Sequence, residues 1–409
     1  MRLKRALIAT LVTAAVLTGT GAAAAATAVS DEQVLITSPL PGTAAWDHDR
    51  SLGRPLPDPA HASPAAVAAF FAGLSAERRQ RLAERYPLVV GNLDGAPVEL
   101  RYQANRIALR QALAAAERTA DGSDAGSGSG SRSADASARE EARNRAQTYQ
   151  SLLRPGRQIL AFDPRGRGKL AEVFGDLATA KRVAVLVPGS DVDLTHYENL
   201  GSPLKVPAGM AQSLRAQEIA DDPGTGTAVI AWADYTTPVG LGADAATSRL
   251  AQAAVPGLLR LLAGLRETSD PVAPPTLLCH SYGSVVCGLA APSIKPRRGE
   301  PTDMVVFGSP GLGVSSAARL GRGVRLWATR NATDWIANVP YLELEGLGHG
   351  ADPTSTTFGS RVLSSAGAAG HTGYFAPGTD SLLGFADVAL GRYREVPCAE
   401  QDPGCASGL

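Results

Sequence analysis

Ser281 lies in a sequence context that is typical of a catalytic nucleophile. An apolar run over residues 276–279 precedes it, Tyr282 and Gly283 follow, and a second apolar run with helical character then begins. In the G-x-S-x-G nucleophile elbow, a strand turns sharply into a helix and holds a serine hydroxyl at the tip of the turn. Cys279 stands at the first glycine position here, so the motif reads C-H-S-Y-G. The alternative interpretation is a buried strand followed by an ordinary turn.

Such a serine needs a general base, and in an α/β-hydrolase the chain order is serine, acid, histidine. Two histidines follow Ser281 with room for an acid between them and the serine, His349 and His371. His371 comes after the last candidate strand, on a loop that suits a catalytic base. We therefore predict His371 as the base and keep His349, which precedes that strand, as the alternative.

The predicted acid is Asp334. It follows a candidate strand over residues 324–328 through a short turn, which places it at the carboxyl edge of the sheet, where ligands bind in open α/β folds. Asp352 is the second choice, and Asp303 opens a strand and so belongs to the opposite edge. The remaining acidic candidates are Glu343 and Glu345.

An oxyanion hole is predicted from two backbone N–H groups. The first belongs to Tyr282, the residue after the nucleophile, and the second comes from a loop that follows an earlier strand. The apolar run 183–187 ends in Pro188-Gly189-Ser190, so Ser190 is the predicted second donor, with Asp191 next to it. The alternative is an ordinary Pro-Gly turn.

The pattern of strands and helices that must position these residues predicts an α/β fold. Short apolar runs alternate with helical stretches from residue 158 onward, as in a parallel sheet that is covered on both faces. The predicted strands cover residues 158–162, 169–174, 183–187, 227–232, 275–280, 304–307 and 324–328, with a weaker last strand at 361–364. The prediction is a mostly parallel, doubly wound sheet of the α/β-hydrolase class with a helical N-terminal portion.

The chain divides into five predicted segments. A basic start, an apolar stretch and small residues up to Ala28 predict a signal peptide over residues 1–28, with an uncleaved membrane anchor as the alternative. An extended leader is predicted for 29–62 and a helical portion for 63–120, where Ser63 and Ser75 begin helices. Residues 121–137 read as a Gly/Ser-rich linker or insertion. Residues 138–409 are the predicted hydrolase domain.

Composition excludes some function classes. The 39 basic side chains balance the 39 acidic ones, so no electrostatic argument favours a nucleic-acid partner. No other stretch is long and apolar enough to cross a membrane, and the Cys and His spacing does not match a metal site. Export permits disulfides. A Cys398–Cys405 bridge is the simplest pairing, whereas Cys279 and Cys287 are either bridged or buried thiols.

Four blocks of the sequence resemble an exported bacterial α/β-hydrolase family that was first catalogued as a domain of unknown function. The blocks are residues 88–97 with 104–106, residues 184–189, His280-Ser281-Tyr282-Gly283-Ser284 and His371-Thr372-Gly373-Tyr374-Phe375. The resemblance spans about residues 63–395 and implies a Ser-Asp-His triad at Ser281, Asp334 and His371. Cys279 departs from the family's usual glycine, and the segment 232–235 lacks the glycine that is usual there.

Together these observations predict a secreted serine hydrolase that needs no metal or organic cofactor. Carboxylic esters, either small or lipid-like, are the expected substrates because their cleavage is the least demanding acyl-transfer chemistry. A peptidase or amidase with the same triad is the first alternative, and a non-catalytic cell-envelope protein on a hydrolase scaffold is the second. The sequence carries no indication of oligomeric state.

Overall fold

The protein is described here by a computed structural model that covers residues 32–122, 132–269, 271–297, 299–344 and 346–409. Its main feature is an eight-stranded sheet. In chain order, the strands of this sheet are β1 (Gln158–Asp163), β2 (Lys169–Gly175), β3 (Arg182–Val187), β4 (Thr227–Ala233), β5 (Thr276–His280), β6 (Thr302–Phe307), β7 (Val324–Thr329) and β10 (Arg361–Val362). Each predicted strand is therefore present, with its ends moved by one or two residues in most cases.

The spatial order of the strands is β1-β2-β4-β3-β5-β6-β7-β10. Only β2 runs antiparallel to its neighbours, and the pairs from β4 through β10 are parallel. The carboxyl ends of the parallel strands consequently share one edge. The loops after β3, β5, β6, β7 and β10, which hold all the predicted site residues, meet at this edge. A short hairpin of β8 (Glu343–Leu344) and β9 (Leu347–Gly348) lies apart from the main sheet.

Helices cover both faces of the sheet. The described helices are α1 (Thr43–His48), α2 (Pro64–Ala72), α3 (Ala76–Arg85), α4 (Pro87–Gly91), α5 (Val98–Ala120), α6 (Arg132–Leu152), α7 (Pro207–Asp221), α8 (Ala243–Ala246), α9 (Arg249–Thr268), α10 (Gly283–Ala290) and α11 (Asp380–Leu390). Successive side chains of a strand point to opposite faces, so Leu277 packs in one apolar core with α9 and α10. Leu278 packs in the other core with α7 and α11. Burial on both faces explains the near-continuous apolar runs of the central strands.

The N-terminal segment differs from the extended leader that was predicted for residues 29–62. Within its described part, residues 43–48 form α1, and Trp46 is fully buried in a third apolar core with Phe71 and Val90. The indole nitrogen of Trp46 also donates to the carbonyl of Pro57 at 2.7 Å. The high proline content of this segment predicts an extended conformation, but the buried side chain of Trp46 holds the segment against the helical portion.

The helical portion follows the prediction more closely. The Ser63 and Ser75 side chains cap α2 and α3 by accepting from the backbone N–H groups of Ala66 and Arg78. Residues 87–91 form α4, and Pro87 occupies its first helical position, where the missing N–H of proline costs no hydrogen bond. The predicted linker at 121–137 is partly helical, since α6 begins at Arg132.

Two asparagines attach this helical portion to the edge of the sheet. The Asn92 side chain accepts from the N–H of Phe162 at 2.9 Å and donates to its carbonyl at 2.8 Å. Asn105 donates to the carbonyls of Gly91 and Ile159. These bonds satisfy backbone groups of β1, an edge strand that would otherwise be open to pairing with another chain. A side chain at Gly91 would lie 2.0 Å from Asn105 Oδ1, which explains the glycine.

The predicted signal peptide, residues 1–28, lies outside the described residues. Among the residues that the structure describes, no helix is both long enough and apolar enough to cross a membrane.

The buried carboxyl group of Glu218 on α7 predicts a pH dependence of stability. Burial raises the pKa of Glu218 to about 8, and the opposing effects of Thr227 and Arg215 do not offset it. In the unfolded chain the pKa is about 4.3. Between these values the folded protein holds a proton that the unfolded chain has lost, so the contribution of this group to stability falls as the pH rises. Above about pH 8 the loss is complete.

We therefore expect Glu218→Gln to raise the melting temperature relative to the wild-type protein, by little at pH 5 and by on the order of 5 °C at pH 8 and above. Thermal unfolding measured between pH 5 and 9 checks this, with the exposed Glu400→Gln as the matched control. A difference that does not change with pH would contradict it.

Candidate active site

The backbone at Ser281 has the conformation expected of a nucleophile elbow. Its φ angle is 50°, in the left-handed region that a non-glycine residue rarely adopts, and it lies between the end of β5 and the start of α10. The N–H of Ser281 donates to the carbonyl of Phe307 at 3.0 Å, which ties the turn to β6. Such strain is found where surrounding structure holds a residue in place for function. The serine is 8% exposed.

A disulfide joins the two elements on either side of the serine. Cys279 at the end of β5 is bonded to Cys287 in α10, and both side chains are fully buried. A small side chain at position 279, where the G-x-S-x-G motif has glycine, is thus accommodated because it forms this cross-link. The second disulfide, Cys398–Cys405, has the simplest pairing predicted from the sequence.

Asp334 and His371 are brought together at the same edge of the sheet. Nδ1 of His371 donates to Oδ1 of Asp334 at 2.8 Å, and the hydroxyl of Tyr374 donates to Oδ2 at 2.5 Å. Burial works to raise the pKa of Asp334, but the bonds from His371, Tyr374 and the N–H of Ile336 outweigh it and hold the pKa below its ordinary value. The carboxylate is therefore ionised, and Nε2 of His371 is left as a proton acceptor.

The loops that carry the acid and the histidine are joined to each other by further hydrogen bonds. The Asn331 side chain donates to the carbonyl of Gly370 at 2.6 Å, and the N–H of Gly370 donates to Thr333 Oγ1 at 2.8 Å. The half-buried indole of Trp335 lies 4.6 Å from the His371 ring, measured between centroids. The imidazole thus has a fixed main chain and an aromatic neighbour.

The loop after β3 lies against Ser281. A side chain at Gly189 would place its Cβ 2.6 Å from Ser281 Cβ and 3.1 Å from Oγ. Tyr235 holds this loop by donating to the carbonyl of Pro188 at 2.5 Å, and Asp191 has a φ angle of 62°. Within the described part of the chain, the backbone N–H groups of Ser190 and Tyr282 make no hydrogen bond.

The alternatives from the sequence have other partners. Nε2 of His349 donates to the carbonyl of Ala245 at 2.7 Å, and burial lowers the pKa of this histidine. Asp352 is paired with Arg330 at 2.6 Å. Asp303 accepts from the indole of Trp327 in β7 at 2.8 Å. Glu343 is exposed in the hairpin, and Glu345 lies outside the described residues.

Two residues of the site were missed by the sequence reasoning. The ring of His280 packs on Phe307 and also bonds to the main chain of His371, which is 91 positions away in the sequence. The ring of Tyr374 is buried in the core, and its hydroxyl bonds to Asp334. In the sequence, these residues stand out only because His280 is next to Ser281 and Tyr374 is close to His371. Such closeness along the chain does not predict the hydrogen-bond partner of either side chain.

The arrangement contains a serine on a strained turn, a histidine oriented by an ionised carboxylate, and free N–H groups beside the serine. These are the parts that acyl transfer requires. Among the described residues, no group of three or more His, Cys, Asp or Glu side chains is placed to hold a metal ion.

The mostly parallel sheet, its helical layers and the elbow after β5 agree with a family comparison. Residues 163–344 match the model of a family described as alpha/beta hydrolase. The chain therefore has the α/β-hydrolase fold, and its residues 163–344 are similar to that family. The match includes Ser281 and Asp334 and ends before His371.

Several proteins and solved structures are similar to this chain. The uncharacterized protein Rv2079 of Mycobacterium tuberculosis is 30% identical over 380 residues, which are 82% of this chain and 57% of that protein. An uncharacterized protein of Mycobacterium bovis, Mb0988c, is 33% identical over 176 residues, which are 41% of this chain and 62% of the relative. The chain thus spans less than two thirds of the length of either relative.

Two esterase structures show distant similarity. Esterase PE8 is 18% identical, with a TM-score of 0.33, and the alignment covers 55% of this chain and 97% of that one. Esterase LipW from Mycobacterium marinum is 11% identical, with a TM-score of 0.28, and the coverage is 48% and 70%.

Because Gly189 lies so close to Ser281, a side chain at position 189 should lower the reactivity of the serine. Gly189→Ala should slow the reaction of Ser281 with a fluorophosphonate probe by at least about tenfold, because the new methyl group displaces either the serine or the adjacent N–H donors. Labelling kinetics check this, with Gly224→Ala as the control, since Gly224 is exposed and has room for a methyl group. Equal labelling rates for the two variants would contradict the proposed packing.

Proposed function

We propose that the protein is an exported serine hydrolase that cleaves carboxylic esters through an acyl-enzyme on Ser281. The observation that carries the proposal is the hydrogen-bonded Asp334–His371 pair at the same sheet edge as a serine whose φ angle is 50°. A strained serine alone would support only a tight turn, and a carboxylate–imidazole pair alone would support only an ion pair. Their occurrence at one sheet edge is what acyl transfer needs.

In the proposed mechanism, Oγ of Ser281 attacks the ester carbonyl while Nε2 of His371 accepts the hydroxyl proton. Asp334 keeps the histidine in the Nδ1–H form and stabilises the imidazolium that results. The N–H groups of Tyr282 and Ser190 bond to the oxyanion of the tetrahedral intermediate. His371 then gives its proton to the departing alkoxide, which leaves as an alcohol. A water molecule, deprotonated by His371, hydrolyses the acyl-enzyme and releases the acid.

Esters are proposed ahead of amides because an alcohol is the better leaving group and demands less of the site. The half-buried ring of Trp335 next to His371 supports an apolar group on the substrate, either in a small ester or in a lipid-like one. A peptide or amide substrate remains the alternative that the same residues would serve.

Export is proposed from the basic and apolar character of residues 1–28. The two disulfides support it, because such bonds form and persist in oxidising compartments. We expect mature protein from the culture medium to begin near Val29 when its N-terminus is sequenced. A membrane-bound protein that retains residues 1–28 would instead indicate an anchored envelope protein.

Substitution of the triad tests the catalytic proposal. With p-nitrophenyl esters of graded chain length, Ser281→Ala and His371→Ala should each lower kcat by at least about 10³-fold, and Asp334→Asn by on the order of 10³- to 10⁴-fold. Ser137→Ala, which removes an exposed hydroxyl from α6, should keep the wild-type rate.

Two outcomes would overturn this assignment. Turnover that persists in Ser281→Ala would show that a different group attacks the substrate. If the folded wild-type protein neither hydrolyses esters nor reacts with a fluorophosphonate probe, the non-catalytic scaffold becomes the better interpretation. Hydrolysis of peptides but not of esters would favour the peptidase alternative.

A further inference from the structure

His280 occupies an unusual position, directly before Ser281 in the chain and in contact with His371. It is the last residue of β5 and is 7% exposed. Its ring stacks on Phe307, with a centroid distance of 5.0 Å and an interplanar angle of 22°. The ring of His371 lies 4.7 Å away. The proposed mechanism assigns no step to His280.

One hydrogen bond links this side chain to the main chain of the proposed base. Nε2 of His280 is 2.8 Å from the carbonyl oxygen of His371. A carbonyl oxygen only accepts, so the imidazole nitrogen must be the donor. Burial, reinforced by the charge of His371, lowers the pKa of His280 to about 3. His280 is therefore neutral, and its single ring proton is on Nε2.

This hydrogen bond connects the segment that carries Ser281 with the loop that carries His371. The proposed reaction requires that these two side chains stay at a fixed distance from each other. Ser281 is fixed to the sheet by its N–H bond to the Phe307 carbonyl, and His280 is its chain neighbour. His371 is held at its side chain by Asp334, and its loop is tied at the neighbouring Gly370 by Asn331 and Thr333. The bond from His280 adds a restraint at the carbonyl of His371 itself. Displacement of a catalytic group by about 1 Å can lower a rate by about 10²-fold, so a bond across this gap matters.

We propose that His280 is a positioning residue, which holds the main chain of His371 at a fixed distance from Ser281 by donating one hydrogen bond to its carbonyl. The proposal rests on the proposed serine-hydrolase function. Because a neutral ring fills this place, no second positive charge arises beside His371 when it accepts the serine proton. His280 itself neither takes nor gives a proton in the reaction.

Two substitutions of His280 distinguish the contribution of its hydrogen bond from the contribution of its aromatic ring. His280→Phe keeps an aromatic ring against Phe307 and removes the donor. His280→Gln replaces the ring with an amide that can reach a similar position with an N–H group. The measurements are kcat and KM with p-nitrophenyl butyrate, hydrogen exchange of residues 365–376 by mass spectrometry, and the melting temperature, all on the full chain.

We expect His280→Phe to lower kcat by about 10- to 100-fold, with KM changed by no more than about twofold. Exchange in residues 370–374 should become faster, because the loop loses a tether. His280→Gln should restore kcat and the exchange protection to within about fivefold of the wild-type values. If the Phe variant does not fold, His280→Asn, whose shorter side chain cannot reach the carbonyl, replaces it.

Wild-type kcat and protection in His280→Phe would overturn the proposal. So would a Gln variant as impaired as the Phe variant in both measurements, since His280 would then act through its ring or its proton. Failure of the serine-hydrolase assignment is recognised separately, by ester turnover that is unaffected in Ser281→Ala. In that case the exchange rates still decide whether His280 tethers the loop.

Discussion

The left-handed backbone at Ser281 is the constraint on which the surrounding structure depends. A non-glycine residue in this conformation costs about 1–3 kcal/mol, so its neighbours must hold it there. Glycine at position 283 is required because a Cβ would lie 2.4 Å from the carbonyl oxygen of Val187. Glycine is also required at position 189, where a Cβ would lie 2.6 Å from Ser281 Cβ. The Cys279–Cys287 disulfide adds a covalent restraint to both elements that flank the turn.

Asp334 is ionised, whereas His280 and Tyr374 next to the same histidine are neutral. Their hydrogen bonds and their burial explain this difference in charge. Asp334 is buried but remains ionised because three donors converge on it. His280 is buried with one acceptor and is neutral, since burial penalises its charged form. Tyr374 donates to Asp334, and burial together with the carboxylate raises the pKa of its hydroxyl. The site thus holds one fixed negative charge, close to the histidine that would become positive.

The helical N-terminal portion contributes to the site indirectly, by completing the sheet that carries it. Asn92 and Asn105 satisfy backbone groups of β1 at one edge, so the sheet does not end in an open strand there. Trp46 and Phe71 give this portion an apolar core of its own. The distinctive Gly-Asn-Leu-Asp-Gly segment at 91–95 therefore has a structural role in joining two parts of the molecule, and it is far in sequence from Ser281, Asp334 and His371.

Local sequence patterns determined the strands, the elbow and the candidates for the site, because each depends on residues that are neighbours in the chain. Apolar runs of strand length mark β3 to β7, and C-H-S-Y-G marks the turn at Ser281. Only the tertiary structure decided which partners these residues have. It paired His371 with Asp334, whereas His349 bonds to the carbonyl of Ala245 and Asp352 pairs with Arg330. It also showed the bonds of His280 and Tyr374, which join residues 91 and 40 positions apart. Such contacts depend on how strands are ordered in the sheet, which no local pattern encodes.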